Sequence, residues 1–326
     1  MVTRGPRLVL AIAAFVAVAA SGAFAAARLA EHAGARRLLP PGRLVDIGGR
    51  RLHMVCAGSG RPTVLLEASG PANARQYSVV LPRLASKTTT CAYDRAGMGF
   101  SDPAPGARTA QDMVDDLVAA LASARLPGPY VLVAGSLGGV VAELFARERP
   151  SDVLGLVTLD ALTSESASYP AVAGITTKAC AARWAAEFGL LRVADPFGLA
   201  KASPVAFEVT YRASTWRTVC RTLGDLPATG SQLRAAAPLR SDLPLTVVVH
   251  GEARDIIPFA RPEEERAADP AWLAAQRAFA DRSRLGRLVV ATGSGHLIVE
   301  DRPDLVIETV QAMVDEVALL ANGEHP

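Results

Sequence analysis

The residues with the clearest chemical meaning form a glycine-rich turn around one serine. A strand-like run, 130–134, leads into Gly135-Ser136-Leu137-Gly138-Gly139, and a helix-forming run follows. A serine raised on such a strand-to-helix turn has a strained backbone and needs small neighbours. The start of the helix offers backbone N–H groups to a developing oxyanion. Because the turn lacks a P-loop lysine and the G-x-G-x-x-G spacing, it predicts a nucleophile at Ser136 rather than a phosphate site.

A serine nucleophile needs a base, and His296 is the histidine best placed for that role. It follows the strand-like run 287–291 after a flexible Thr-Gly-Ser-Gly segment, so it belongs to a loop at the carboxyl end of a strand. The other four histidines lie near the two termini, within a strand pattern, or directly after a strand-like run: His32, His325, His53 and His250. The sequence therefore predicts His296 as the general base.

The acid that orients the base is open between two aspartates. Asp255 follows the penultimate predicted strand and gives the chain order serine, aspartate, histidine, so it is the first choice. Asp160 directly follows the run 154–159 and competes with it, because an acid there can also reach the histidine across the sheet edge. Glu252 is a third and weaker choice.

The elements that must position these residues alternate between strands and helices. The strand-like runs are 44–47, 51–56, 63–66, 88–93, 130–134, 154–159, 245–249 and 287–291. The predicted helices are 109–124, 138–149, 270–282 and 303–321. Gly48-Gly49 joins the first two runs into an antiparallel hairpin, whereas the later runs are almost entirely apolar, as in strands covered on both faces. We expect an α/β fold with a mostly parallel eight-stranded sheet and helices on both faces.

One long segment, residues 163–240, interrupts the alternation. It contains seven of the 17 aromatic residues of the chain and is far longer than a crossover helix requires. We interpret this segment, called the insertion below, as a helical cap over the carboxyl edge of the sheet, placed before the penultimate strand. The α/β core is then residues 41–162 and 241–326.

The N-terminal residues 1–40 are predicted to lie outside the folded core. Residues 8–27 contain no charge and are flanked by arginines, and Ala23-Phe24-Ala25 matches a cleavage site with small residues. The same run is long enough to span a bilayer. A cleaved signal peptide and a retained anchor are both open, and both place the domain outside the cytoplasm.

Composition excludes several other classes of protein. The chain has 326 residues, half of them hydrophobic, which is enough to bury a large core. Residues 1–40 contain five arginines and one acid, so the remaining chain has 29 basic and 31 acidic residues and gives no reason to expect a nucleic-acid partner. No metal or cofactor motif is present. Four cysteines without C-x-x-C spacing suit disulfides in an oxidising compartment.

In combination, four segments resemble the α/β-hydrolase fold family, over residues 43–320. The segments are 93–102 (YDRAGMGFSD), 135–139, 251–258 and 293–296, with Pro303 downstream. The resemblance implies acyl transfer to water through an acyl-enzyme on Ser136, with oxyanion donors at the N–H groups of Leu137 and Gly70. Because the nucleophile is a serine and not an aspartate, it disfavours the haloalkane dehalogenase and epoxide hydrolase branches. The usual strand order of the family also makes a Cys56–Cys91 bridge plausible, which leaves Cys180–Cys220 within the insertion.

The resulting hypothesis is an exported serine esterase that acts on a small apolar ester and needs no cofactor. The alternatives are a peptidase or amidase, a lyase or a perhydrolase with the same triad, or a binding protein without catalytic activity. A membrane partner is expected only if the N-terminal segment stays uncleaved.

Overall fold

The computed structural model describes residues 5–166, 171–196, 208–254 and 262–323, and its centre is an eight-stranded sheet. The strands are β1 (Arg43–Asp46), β2 (Arg51–Ala57), β3 (Thr63–Glu67), β4 (Thr90–Tyr93), β5 (Tyr130–Gly135), β6 (Val153–Leu159), β7 (Leu245–His250) and β8 (Gly286–Ala291). Their order in the sheet is β1-β2-β4-β3-β5-β6-β7-β8. β1 and β2 pair antiparallel, as do β2 and β4, and all other pairs are parallel. The predicted fold class is confirmed.

In the described part of the chain, helices cover both faces of this sheet, and further helices belong to the N-terminal segment and to the insertion. The helices are α1 (Gly5–Arg37), α2 (Val80–Leu84), α3 (Ala110–Ala124), α4 (Gly138–Glu148), α5 (Ala171–Glu187), α6 (Leu190–Ala194), α7 (Ala213–Gly224), α8 (Leu226–Ala235), α9 (Pro262–Ala280), α10 (Ile298–Asp301) and α11 (Pro303–Ala321). Alternate residues of β3 face opposite layers, because side chains of a strand alternate in direction. Leu65 belongs to the apolar cluster that includes residues of α3 and α4, whereas Val64 and Leu66 belong to the cluster of α2 and α11. Burial on both faces explains why the strand sequences are almost continuously apolar.

The predicted start of the helix before β8 is wrong. The sequence predicts a helix over residues 270–282. In the structure α9 begins at Pro262, and Pro270 lies inside it. As a result Asp269 is a helical residue, three positions before Trp272 and on the same face of α9.

The insertion contributes the helices α5 to α8 between β6 and β7. Trp216 of α7 packs in a small apolar cluster with Ala179 of α5 and with Met98, from the loop after β4. Arg212 donates a hydrogen bond to the Gly99 carbonyl of the same loop, at 2.9 Å. The described part of the insertion therefore contacts the loop that leaves the carboxyl end of β4. Its role as a cap, and the division of the chain at residues 40, 162 and 240, stay predictions.

Two disulfides connect these elements. Cys56–Cys91 joins β2 to β4, and Cys180–Cys220 joins α5 to α7. Both pairings agree with those implied by the family resemblance.

Candidate active site

Ser136 lies on a tight turn between β5 and α4. Its φ angle of 47° is in the left-handed region, which is strained for a residue with a side chain. The turn is close to the loop after β3, since a Cβ added to Gly138 would lie 2.8 Å from the Ala68 carbonyl oxygen. A glycine is therefore required at position 138. The Leu162 N–H also donates to the Ser136 carbonyl, at 2.8 Å.

His296 contacts this serine from the loop after β8. The Ser136 hydroxyl donates to Nε2 of His296 at 2.9 Å. Two hydrogen bonds from backbone N–H groups hold this loop near the histidine. The His296 N–H donates to the Arg254 carbonyl at 3.0 Å, and the Gly295 N–H donates to Asp301 at 2.9 Å. The two residues predicted as nucleophile and base are thus brought together, 160 positions apart in the chain.

The acid that contacts His296 is Asp160. Nδ1 of His296 donates to Oδ2 of Asp160 at 2.6 Å. Asp160 directly follows β6 with a φ angle of 46°, and it is fully buried. Glu252 lies at the surface, where its carboxylate accepts a hydrogen bond from Arg254 at 3.1 Å. Asp255, the first choice from the sequence, lies outside the described residues.

Asp160 accepts further hydrogen bonds from two side chains. Nε1 of Trp272 donates to Oδ1 at 2.8 Å, and Nδ1 of His250 lies 2.9 Å from Oδ2. Burial alone would raise the pKa of Asp160, but the hydrogen bonds from His250 and His296 outweigh burial and hold this pKa well below its usual range. These hydrogen bonds therefore favour the ionised form of Asp160 next to His296.

Sequence reasoning missed the residues that surround Asp160. His250 ends β7, which is the parallel neighbour of β6. Asp269, Trp272 and Gln276 have the three- and four-residue spacing of one helix face. All three contact the β6–β7 edge: Asp269 contacts His250, Trp272 contacts Asp160, and Gln276 donates to the Ala161 carbonyl at 2.7 Å. That spacing was the available signal, but the expected helix start at Pro270 excluded Asp269 from it.

The two N–H groups predicted to bind an oxyanion are both available. Within the residues that the structure describes, neither Leu137 nor Gly70 donates its backbone N–H to a protein acceptor. The neighbouring Ser69 N–H is occupied, because it donates to Oε1 of Gln76 at 2.9 Å. The role of the Gly70 and Leu137 N–H groups as oxyanion donors stays a prediction.

Arg95, from the segment after β4, fixes this loop. Its buried guanidinium donates to the carbonyls of Ala68, Ser69 and Gly70 at 2.6 to 2.7 Å and forms an ion pair with Glu67. Because a planar guanidinium has several donors in fixed directions, these bonds determine the path of the loop. Arg95 is a positioning residue that the sequence analysis did not identify.

In the described part of the chain, no group of three or more His, Cys, Asp or Glu side chains is arranged to hold a metal ion.

Comparison with known proteins assigns the chain to a family. The model of the Alpha/beta hydrolase family matches residues 56–309. The chain belongs to the alpha/beta hydrolase family.

The individual proteins that resemble this chain either match a short part of it or have low sequence identity. An uncharacterized protein of Schizosaccharomyces pombe is 44% identical over 82 residues, which are 25% of this chain and 15% of that protein. The chain therefore spans a small part of that relative. The 2-(acetamidomethylene)succinate hydrolase of Mesorhizobium japonicum is 26% identical over 84% of this chain and 95% of its own. A thermophilic esterase from Thermogutta terrifontis has a similar structure, with a TM-score of 0.62, 22% identity, and coverage of 82% of this chain and 94% of that chain.

Proposed function

We propose that this protein is a serine hydrolase that cleaves carboxylic esters of small apolar molecules. The observation that supports this most directly is the hydrogen-bonded series from the Ser136 hydroxyl through His296 to Asp160, with distances of 2.9 and 2.6 Å. A serine, a histidine and a buried carboxylate in this order are the groups that acyl transfer requires. In this proposal Asp160, and not Asp255, is the acid.

The first half of the reaction forms an acyl-enzyme. His296 has its proton on Nδ1, directed to Asp160, so Nε2 accepts the Ser136 proton as the hydroxyl oxygen attacks the carbonyl carbon. The negative charge that develops on the carbonyl oxygen is bound by the N–H groups of Leu137 and Gly70. One such donor typically stabilises the transition state by about 3–4 kcal/mol. The C–O bond to the leaving group then breaks, and His296 returns its proton to the departing oxygen.

The second half regenerates the enzyme. His296 removes a proton from water, the resulting hydroxide attacks the acyl carbon, and the Ser136 oxygen leaves and is protonated by His296. Asp160 stabilises the imidazolium in both halves and stays ionised throughout. The atoms of both half-reactions balance with these side chains, the ester and water.

We infer an apolar substrate from the apolar composition of the insertion. Its described helices have aromatic and aliphatic side chains that remain exposed, among them Trp184, Leu190 and Val193. We place ester cleavage before amide cleavage, because an alkoxide or phenolate leaves more readily than an amine. Amide cleavage is the second candidate, since a relative that aligns over most of the chain is named for hydrolysis of 2-(acetamidomethylene)succinate.

A matched pair of substrates tests both the bond and the acyl group. We expect p-nitrophenyl esters to be cleaved, with kcat/KM rising about fourfold for each added acyl methylene, since a buried CH₂ contributes about 0.8 kcal/mol. The p-nitroanilide with the same acyl chain has an amide bond in place of the ester bond, so it is the control for the type of bond that is cleaved. Preference for the anilide, or a rate that falls with acyl length, would contradict an apolar esterase.

We further propose that α1 is a membrane anchor that keeps the domain outside the cytoplasm. Within Leu8–Glu31, an 18-residue stretch has a mean hydropathy of 2.4, and none of that stretch is buried. Its later residues contact the insertion: the rings of Phe24 and Phe188 lie 6.2 Å apart edge to face, and Arg28 donates to the Ala186 carbonyl at 3.5 Å. Cleavage at Ala23-Phe24-Ala25 would remove the first of these contacts, which favours a retained helix over a removed signal.

Retention of α1 can be measured on the full chain with a C-terminal epitope. We expect the protein to stay in carbonate-washed membranes with an intact mass of 34.0 kDa plus the epitope. The Ala25→Leu variant is the matched control, because a bulky residue there blocks signal peptidase, and it should show the same mass and location. A shorter, soluble protein that becomes longer in Ala25→Leu would show that the segment is a cleaved signal.

A further inference from the structure

His250 bridges two carboxylates at the sheet edge behind Asp160. The residue ends β7 and is buried. Its Nδ1 lies 2.9 Å from Oδ2 of Asp160, and its Nε2 lies 2.6 Å from Oδ1 of Asp269. Ionised carboxylates only accept hydrogen bonds, and a neutral imidazole has one N–H. With both carboxylates ionised, the two contacts are hydrogen bonds only if both ring nitrogens are protonated, so the geometry calls for an imidazolium.

Charged groups face His250 from two elements in the described part of the chain. Asp160 approaches from the end of β6, and Asp269 approaches from α9. His296 lies on the other side of the Asp160 carboxylate. Burial alone would lower the pKa of His250, but the hydrogen bonds and negative charges of Asp160 and Asp269 outweigh burial and raise it.

We propose that His250, held between Asp160 and Asp269, is a positioning residue that provides a fixed positive charge behind the catalytic carboxylate. This inference rests on the proposed function, because it assigns the role of triad acid to Asp160. His250 and Trp272 together fix the Asp160 carboxylate so that Oδ2 faces Nδ1 of His296.

The positive charge on His250 has an electrostatic effect on His296 that a neutral hydrogen-bond donor at this position would not have. Asp160 attracts a proton to His296, and a cation next to Asp160 weakens that attraction. The positive charge on His250 therefore weakens the attraction between Asp160 and the imidazolium that forms when His296 accepts the Ser136 proton, and its removal should strengthen that attraction. Asp269 controls the effect from α9, because its carboxylate keeps His250 protonated.

The His250→Gln variant separates the charge from the hydrogen bond. Glutamine can still donate to Asp160 but is neutral, so we expect the acid limb of the kcat/KM profile to move to higher pH by about one pH unit, the size of a typical charge–charge effect on a pKa. Asp269→Asn keeps His250 in place and should move the limb in the same direction by less. Rates are counted per fluorophosphonate-reactive site. A lower plateau with an unmoved acid limb in both variants would reduce His250 to a structural role and overturn the proposal.

A second measurement does not depend on activity or on the folding of His250→Gln. In the full chain in detergent micelles, with ¹⁵N-labelled histidine, we expect His250 to have both ring nitrogens protonated at pH 7, and its signals, unlike those of the buried His53 beside Asp94, should change in Asp269→Asn. A single protonated nitrogen on His250 would overturn the inference. If instead the wild-type protein shows no hydrolysis that depends on Ser136, the proposed function fails, while the NMR result still decides the charge state of His250.

Discussion

The Ser136→Ala variant is expected to lose about six orders of magnitude in kcat on p-nitrophenyl esters, as happens when the nucleophile of a serine hydrolase is removed. The hydroxyl is the atom that forms the acyl-enzyme, and His296 then has no proton to accept from the protein. Only the oxyanion donors Leu137 and Gly70 remain, so a small rate above that of water should persist. The same variant should no longer be labelled by a fluorophosphonate, as shown by intact-mass measurement.

Ser69→Ala is the matched control for this experiment. Ser69 lies beside β5, and its hydroxyl accepts a hydrogen bond from Nε2 of Gln76 at 2.9 Å rather than contacting a histidine. The control should keep its fluorophosphonate label even if its rate falls. A label that persists in Ser136→Ala and disappears in Ser69→Ala would contradict the assignment of the nucleophile.

The fold could be predicted from local patterns because the physical causes are local. Strands such as β5 and β7 are covered on both faces, so their burial appears in the sequence as an uninterrupted apolar run. The turn at Ser136 was predictable for a similar reason: close approach of the loop after β3 permits only a glycine at position 138. In both cases a single structural requirement, burial on both faces or a close backbone approach, limits which residue types can occupy neighbouring positions in the sequence.

The acid of the site could not be predicted in this way. The choice between Asp160 and Asp255 depends on how far two loops reach across the sheet edge, and chain order favoured the second. The structure turns Asp160 inward through a left-handed backbone conformation, which the sequence does not signal because the residue is not a glycine. Its partners His250 and Trp272 belong to other elements, so their roles follow only from the packing of β7 and α9 against β6.

Asp160→Asn is the second variant with a large expected effect, a loss of about four orders of magnitude in kcat. An asparagine amide can donate to Nδ1 of His296, which would place the imidazole proton on Nε2. His296 then faces Ser136 with a donor and cannot remove its proton. The variant also leaves the imidazolium of His250 with one carboxylate instead of two, so a thermal melt should accompany the kinetic measurement on p-nitrophenyl esters.

Asp255→Asn is the control that decides between the two acids, because it makes the same chemical change at the competing position. With Asp160 as the acid, Asp255→Asn should keep kcat close to that of the wild-type protein and a normal fluorophosphonate labelling rate. The reverse pattern, a folded and active Asp160→Asn beside an inactive Asp255→Asn, would transfer the role to Asp255. It would leave Asp160 as a buried carboxylate that only holds the loop of His296, and the proposed charge on His250 would then act on a structural group.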